Sequence, residues 1–530
     1  MDSFVALIAV IGGAAVVHRL AARLRIPYPT LLALAGMLVA ASPLSVPIDL
    51  KPDLVLAVLV APVLTDAAGD VSLQELRAYW VVITCLVIVA VGLTTSAVAF
   101  ATHLLEPSVP WAAAVALGAI VAPPDAAAAT SILRPLDAPR RINAALEGES
   151  LLNDASSLLI YRIAIGSMGA GWSAAAPWLP LSIIASLVLG PVVAVANIRL
   201  LRRLGDVQVA IILQFVGTFG LWIVADRLGL SAVLTIVSYA LVSGYLSPRH
   251  IPARLRLTSQ AVWKTVVLAL NAFAFVFVGL ELRPILAAAP ASEVAGWIRF
   301  SILILVTVII VRIGWAMLYN TFVRSNWIRP GLLLPLGTTA TWQGGVIISW
   351  CGMRGVVTLA GALALPENFP HRPLLVFTAF VVTAGTLIIQ GLTLGPLVRA
   401  LDAHDAVSAE HELAMARLEL DLAAQAATTV SLAAVTEGSA HNSNPDADLA
   451  PTPLAKSFPG PADRIVLQHR RAKLISMRHS REIRDHVFHM LEEELDHLEL
   501  LIGRLAERLD DSERLATASG RPDTEASSRG

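Results

Sequence analysis

Polar and acidic residues interrupt an apolar stretch of the chain at Glu147-Gly148-Glu149-Ser150-Leu151-Leu152-Asn153-Asp154-Ala155-Ser156-Ser157. An ionisable side chain inside a membrane span costs about 2.5–3.5 kcal/mol on insertion scales, so such residues are rare there and mark functional sites. In a helix, Ser150 and Asp154 are four residues apart and share a face, whereas Glu149 and Asn153 form the neighbouring stripe. The run therefore predicts a polar site near the middle of a transmembrane helix.

Asp154 is the residue of this run best suited to exchange chemistry. Burial disfavours the charged form of a carboxylate, so a proton or a bound cation has to neutralise it, and the two compete. Ser150 and Asn153 add oxygen atoms of the kind that hard cations bind. The alternative is a polar contact between helices, for which several acids so close together would be a costly choice.

Two further segments predict helices that are broken within the membrane. Ala122-Pro123-Pro124-Asp125 lies in the span just before the acidic run, and paired prolines remove backbone donors and interrupt a helix. Asp125 then stands at a break of the kind that binds ions in secondary transporters, or it caps a proline kink. Arg354, in Trp350-Cys351-Gly352-Met353-Arg354-Gly355, indicates a second break with a cation at depth. The matching positions of the two breaks favour an inverted repeat.

Two other charged residues lie within predicted spans. Arg312 is deep in an apolar run and needs an anion, for which Glu149 is the best candidate; the alternative is an arginine that reaches the interface. Asp66, in Val63-Leu64-Thr65-Asp66, either lines an ion pathway or caps a helix end.

The composition places most of the chain in a membrane. Hydrophobic residues make up 56% of the 530 residues and charged residues 15%, with a mean hydropathy of +0.70. A net charge of −1 gives no basic field for nucleic acid, and no GxxxxGK[ST] loop indicates ATP as an energy source. We predict no cofactor and no enzymatic activity.

Apolar runs long enough to cross a bilayer recur along residues 1–402, and we count about thirteen. They lie near 3–22, 28–45, 52–68, 78–103, 110–132, 145–167, 177–201, 207–227, 230–248, 262–285, 297–323, 344–366 and 372–401. Arginine and lysine are concentrated in one set of alternate loops, which by the positive-inside rule faces the cytoplasm. The N-terminus is then outside and the C-terminal tail is cytoplasmic.

The composition changes after residue 402. Residues 403–463 are predicted to be a cytoplasmic linker, rich in Ser, Pro, Asp and Asn over 436–463. A charged helix is predicted over 464–511, where a heptad seam of apolar residues indicates a short coiled coil or a helix that packs on the tail. Residues 512–530 are predicted to be a disordered tail.

Taken together, these segments resemble the bacterial branch of the monovalent cation:proton antiporters, of the sodium/proton exchanger type. The most specific resemblance is Glu147 to Asp154, which is similar to the family's Asn-Asp ion-site helix; the Pro-Pro-Asp segment resembles its broken-helix motif. The resemblance implies an all-α membrane fold with inverted repeats and two broken crossing helices, as a homodimer in the plasma membrane.

The resemblance also implies roles for single residues. Asp154 is the exchanged carboxylate and Asn153 accompanies it, whereas Asp125 and Ser150 help to coordinate Na⁺. Asp66 replaces a glutamate that is frequent in the family. Further implied roles are an ion bridge between Glu149 and Arg312 and a structural or gating role for Arg354. The Asn-Asp pair is similar to that of the electroneutral branch, which implies one cation per proton.

The function that we expect is exchange of Na⁺, or of Li⁺ or K⁺, for H⁺ in a lipid membrane. One alternative is a sodium-coupled symporter of an organic anion on a similar fold. Another is an intramembrane hydrolase that uses Asp125 and Asp154 as a catalytic pair.

Overall fold

A computed structural model describes most of the membrane part and part of the tail. The described residues are 12–21, 23, 26–42, 56–70, 84–136, 140–170, 178–203, 206–324, 341–401, 413–426, 461–480, 483 and 485–519. Within these ranges the chain is helical and contains no β-strand. By contacts it divides into two compact units. We call them the membrane unit (Met1–Ile251 and Ser259–Asp405) and the tail unit (Pro252–Thr258 and Ala406–Gly530).

The described part of the membrane unit is built from helices. In chain order they are α1 (Tyr28–Ala41), α2 (Ala61–Asp70), α3 (Ala90–Leu105), α4 (Trp111–Val121), α5 (Ala126–Leu133), α6 (Arg140–Ala170), α7 (Trp178–Leu201), α8 (Val207–Arg227), α9 (Ala232–His250), α10 (Ala253–Leu280), α11 (Leu282–Ala287), α12 (Val294–Arg324), α13 (Trp342–Trp350), α14 (Val356–Leu363) and α15 (Arg372–Leu401). Leu56–Val60 and Cys85–Val89 form π-helical turns before α2 and α3, and residues 12–21 are also helical. The first turn of α10 belongs to the tail unit.

Seven of the described helical segments are long and apolar enough to cross a membrane. They are Val87–Leu105, Trp111–Leu133, Pro180–Leu201, Val207–Arg227, Ala253–Ala287, Val294–Arg324 and Arg372–Leu401. Shorter apolar helices are Tyr28–Ala41, Ala57–Gly69 and Ala232–Ser247. Lipid offers no partner to free backbone groups, which is why these apolar runs are helices. Thirteen spans stay a prediction, because five predicted segments lie partly outside the described residues: 3–22, 28–45, 52–68, 78–103 and 177–201.

Both predicted helix breaks are confirmed. The predicted span 110–132 is α4 and α5 with an interruption at residues 122–125, and the predicted span 344–366 is α13 and α14 with an interruption at 351–355. One buried core packs around α3, α4, α12 and α15, with Val98, Leu117, Ile304 and Leu375 at its centre. These interruptions lie beside that core and position the site.

A second apolar core joins α2, α7, α8 and α9, with Leu64, Ala194, Leu221 and Ile236 buried in it. Helices α7 and α9 approach very closely, since a Cβ on Gly190 would come within 2.7 Å of the backbone nitrogen of Tyr239. Small residues allow such close contact between membrane helices, where packing rather than the hydrophobic effect drives association.

The tail unit differs from the sequence prediction in its helices. The region predicted as one helix over 464–511 contains two, α16 (Pro461–Ser480) and α17 (Asp485–Ser519). Residues 413–426, within the predicted linker, are helical as well. Helix α17 runs past residue 511 to Ser519, so the predicted start of disorder at 512 is too early, and residues 520–530 lie outside the described part.

The physical reason for two helices is that their apolar faces pack on each other. Leu474 and Met477 of α16 are buried in one cluster with Phe488, Leu491 and Leu495 of α17. These last three residues begin the heptad seam, whose later members Leu498 and Leu505 are exposed. The first half of the seam therefore packs within the chain, and the coiled coil stays a prediction.

Candidate functional site

The two helix interruptions meet in the interior of the membrane unit. The backbone nitrogen of Asp125, at the end of the first interruption, donates to the carbonyl of Met353 in the second at 2.6 Å. Helices α4 and α13 end at this place, and α5 and α14 begin there. Four helix termini with free backbone donors and acceptors are thus brought together at one crossing.

Arg354 donates hydrogen bonds to the free backbone carbonyls at this crossing. Its side chain is fully buried and donates to the carbonyl of Val121 at 2.9 Å, to that of Ala122 at 3.2 Å and to that of Gly352. Its backbone nitrogen donates to the hydroxyl of Thr386 at 2.9 Å. A positive charge beside helix C-termini is favourable, because the last carbonyls carry partial negative charge. This arrangement places the charge of Arg354 against backbone carbonyls of both interruptions, and its structural or gating role stays a prediction.

Asp125 occupies the complementary position at a helix N-terminus. Its Oδ1 atom accepts from the backbone nitrogens of Ala127 at 2.9 Å and Ala128 at 3.4 Å, which caps α5. Gly355 lies against the same carboxylate, and a Cβ on this glycine would collide with Asp125 Oδ2. One oxygen of Asp125, Oδ1, thus acts as the helix cap that was one of the two alternatives for this residue. The other oxygen, Oδ2, faces the second interruption.

Helix α6 presents Ser150 and Asp154 on one face, as the spacing predicted. The hydroxyl of Ser150 accepts from the backbone nitrogen of Ala126 at 3.3 Å, which ties α6 to the start of α5. The side chain of Asp154 is 6% exposed and forms no hydrogen bond or ion pair with any described residue. A buried carboxylate without such a partner is costly, so its neutralisation has to come from a proton or a bound cation.

The neighbouring stripe of α6 has a different partner. Glu149 is fully buried and accepts hydrogen bonds from both terminal nitrogens of Arg312, which is 3% exposed; the Nη2–Oε2 distance is 2.8 Å. Asn153 donates its amide to Glu149 Oε1 at 3.0 Å. The structure thus brings together the ion bridge that the resemblance implied, and it places Asn153 with this bridge.

A cavity of about 320 Å³ leads to Asp154. Its polar lining comes from several helices and consists of Tyr28, Asp66, Asp125, Thr130, Ser131, Glu147, Ser150, Asp154, Asn271 and Thr358. Of the residues predicted as ligands, Asp66, Asp125, Ser150 and Asp154 line it, whereas Asn153 is not among the described lining residues. The Nδ2 of Asn153 is held by Glu149 and its Oδ1 has no partner among the described residues, so its ligand role stays a prediction.

Asn271 is a lining residue that the sequence analysis missed. It lies on α10 in Leu268-Ala269-Leu270-Asn271-Ala272-Phe273, where a single amide interrupts an apolar run. The sequence could have indicated Asn271, because polar residues within spans are rare. A neutral amide is, however, a weaker indication of a functional site than an acid. The cavity thus offers carboxylate, hydroxyl and amide oxygens, the ligands that hard cations prefer.

Comparisons with known proteins find similar membrane proteins. The family model for the transmembrane sodium/hydrogen exchanger matches residues 6–400. An uncharacterised Na⁺/H⁺ exchanger of Mycobacterium tuberculosis is 31% identical, over 78% of this chain and 77% of that protein. A sodium, potassium, lithium and rubidium/H⁺ antiporter of Bacillus pumilus is 29% identical, over 74% of this chain and 61% of that longer protein.

Among solved structures, the sodium/proton antiporter MjNhaP1 of Methanocaldococcus jannaschii has the same fold. The TM-score is 0.60 at 18% sequence identity, covering 76% of this chain and 99% of that one. The similarity therefore concerns the spatial arrangement of the helices, which apolar periodicity alone does not predict.

Proposed function

The chain belongs to the transmembrane sodium/hydrogen exchanger family, and from this premise we propose that it exchanges a small monovalent cation for a proton across the membrane. The observation that carries the proposal is Asp154, a buried carboxylate that faces a cavity and has no protein partner among the described residues. A proton and a cation compete for this one acid, so loading of one requires release of the other.

The ligands that we propose for Na⁺ are Asp154, Asp125 and Ser150. All three line the cavity, and each retains at least one oxygen lone pair that the described hydrogen bonds leave free. Asp66 is a further candidate because it lines the same cavity, although it also has a contact of its own in the protein. Oxygen ligands of this type suit any of the alkali cations that the Bacillus pumilus antiporter is named for.

The cavity reaches Asp154 from one side. Its lining residues on α6 are Glu147, Ser150, Leu151 and Asp154, all at or before the exchanged acid in the helix. With the orientation that the arginine distribution predicts, the start of α6 faces the cytoplasm. We therefore assign this conformation to the inward-open state of an exchange cycle in which the loaded site is next exposed to the outside.

The proposal also covers the stoichiometry of exchange, the membrane and the oligomeric state. One free acid gives one cation for one proton, which makes exchange electroneutral and suits a function in sodium transport and pH homeostasis. We place the protein in the plasma membrane, with the N-terminus outside, as a homodimer. The symporter and the intramembrane hydrolase are not proposed, since the family consists of exchangers.

The test is exchange in proteoliposomes. Purified protein with Asp154→Asn should fold and insert but lose sodium-driven proton movement, because an amide cannot release a proton. The matched control is Asp226→Asn, which changes an exposed aspartate that pairs with Arg162 and does not line the cavity; it should retain the wild-type rate. Sodium uptake against a pH step by the Asp154→Asn protein would show that the assignment is wrong.

A further inference from the structure

Asn271 lies on the wall of the cavity formed by α10, and the proposed ion ligands on α6 and at the start of α5 line it as well. Helix α10 contributes Val267, Asn271 and Ala274 to this cavity, residues spaced so that they share one face of the helix. Asn271 supplies the only side-chain oxygen of these three. The amide is half-buried and forms no hydrogen bond with any described residue, so its oxygen is available to a ligand.

The hydrogen bonds on the other wall show why a further oxygen is needed. Asp125 Oδ1 already accepts from two backbone nitrogens, and Ser150 already accepts from one. Asn153, which the sequence assigned to the cation, donates its Nδ2 to Glu149 and is not among the described residues that line the cavity. A hard cation that has lost water needs several oxygen ligands, and a neutral amide oxygen is a suitable one.

We propose that Asn271 is a specificity-determining residue, whose amide oxygen coordinates the cation in the cavity beside Asp154. This inference rests on the proposed exchange function and adds to it a ligand on α10. An amide does not titrate, so it stabilises the bound cation without binding the competing proton. Its contribution to sodium affinity should therefore be independent of pH, whereas that of Asp154 depends on pH.

The test compares Asn271→Ala with wild type in proteoliposomes at several pH values. Loss of one oxygen ligand should raise the KM for sodium about tenfold, in line with the strength of a contact between a charge and a polar group. The factor should be the same at every pH, and kcat should stay within about twofold. The ratio of the KM values for Na⁺ and K⁺ should also change, because the smaller ion depends more on a close ligand.

Two variants control this experiment. Leu268→Ala removes an exposed side chain of the same helix, outside the cavity lining, and should leave both KM values unchanged. Asn271→Asp keeps an oxygen and adds a titratable group, so it should restore tight sodium binding at high pH and make the KM depend more steeply on pH.

Several outcomes would overturn the proposal. These are an unchanged sodium KM in Asn271→Ala, a loss of kcat alone, or a KM change that Asn271→Asp does not reverse at high pH. An inactive wild-type protein would count against the proposed exchange function instead. Sodium affinities measured by calorimetry on the same variants would then decide the role of Asn271 separately.

Discussion

Three acids near the crossing of the broken helices differ in what surrounds them. Glu149 is neutralised by the guanidinium of Arg312, and Asp125 accepts two hydrogen bonds from the start of α5. Asp154 has no such partner among the described residues. These surroundings support different proposed functions for the three carboxylates. Glu149 belongs to the buried ion bridge, Asp125 is a helix cap and a proposed ligand, and Asp154 is the proposed exchanged acid.

The buried bridge between Glu149 and Arg312 predicts a large effect on stability. Glu149→Gln should lower the free energy of unfolding by roughly 3–5 kcal/mol, because it leaves a buried arginine without its counter-charge. The measurement is denaturant unfolding of the purified protein in detergent.

A control and a second variant sharpen this prediction. Arg162→Ala breaks an ion pair whose arginine is 43% exposed, so its cost should stay below about 1 kcal/mol. Replacing both partners, Glu149→Leu with Arg312→Leu, should recover part of the loss, since no unpaired charge remains. Equal destabilisation by Arg162→Ala and Glu149→Gln would contradict this account of the bridge.

At the level of elements, the site depends on two interrupted helices that touch. Arg354 compensates the carbonyl ends, and Asp125 caps the amide end of α5, so each charge stands beside the terminus of opposite polarity. The contact between the two interruptions requires glycine at position 355, because a Cβ there would collide with the carboxylate of Asp125. The geometry of the proposed ion site is thus set by the close approach of two backbone segments.

This close approach predicts the effect of a single methyl group. Gly355→Ala should slow exchange about tenfold or more, because a Cβ would displace the Asp125 carboxylate, and overpacking costs roughly 1–3 kcal/mol. The matched control is Gly361→Ala on α14, where a Cβ would lie 3.7 Å from Ile120 in ordinary contact. Initial exchange rates of both variants in proteoliposomes test the prediction, and similar rates for the two would contradict it.

At the scale of the whole molecule, local patterns predicted much of the fold and part of the site. The prolines at 123 and 124 and the glycines beside Arg354 disturb helices locally, so both breaks could be placed from the sequence. Helical spacing placed Ser150 and Asp154 on one face. Orientation around the helix axis was harder: the oxygen of Asn153 suggested a cation ligand, whereas its Nδ2 donates to Glu149 on the neighbouring stripe.

Contacts between distant segments could not be predicted in the same way. Arg354 bonds to carbonyls more than two hundred residues away in the chain, and no local signal names these partners. Asn271 shares the cavity with Asp154 only because α10 packs beside the crossing. In the tail, the heptad seam begins at Phe488 within α17, so this pattern carries no signal for the separation of α16 from α17.

The tail unit contains its own buried charge cluster. Asp496 is 2% exposed and accepts hydrogen bonds from Arg256 Nε at 3.1 Å and from Arg471 at 2.7 Å. Asp496→Ala should destabilise this unit by up to roughly 3–5 kcal/mol, since Arg256 loses the carboxylate that accepts two of its hydrogen bonds and retains Glu492 at 3.7 Å. Limited proteolysis of the full-length protein should show faster cleavage within residues 461–519.

The control for this prediction is Glu494→Ala on the same helix. Glu494 is 47% exposed and pairs with a surface arginine, Arg417, so its removal should change the cleavage rate little. Equal sensitivity of the two variants to protease would show that the buried cluster does not stabilise the tail unit.

The central claim is that one acid exchanges a proton for a cation, and proton release on cation binding tests it most directly. Sodium is added to the purified protein in weakly buffered detergent solution, and the released protons are counted against the bound sodium by calorimetry and a pH indicator. The account predicts about one proton per sodium ion for the wild type and none for Asp154→Asn. Sodium binding by the wild type without proton release, or the same release from Asp154→Asn, would contradict it.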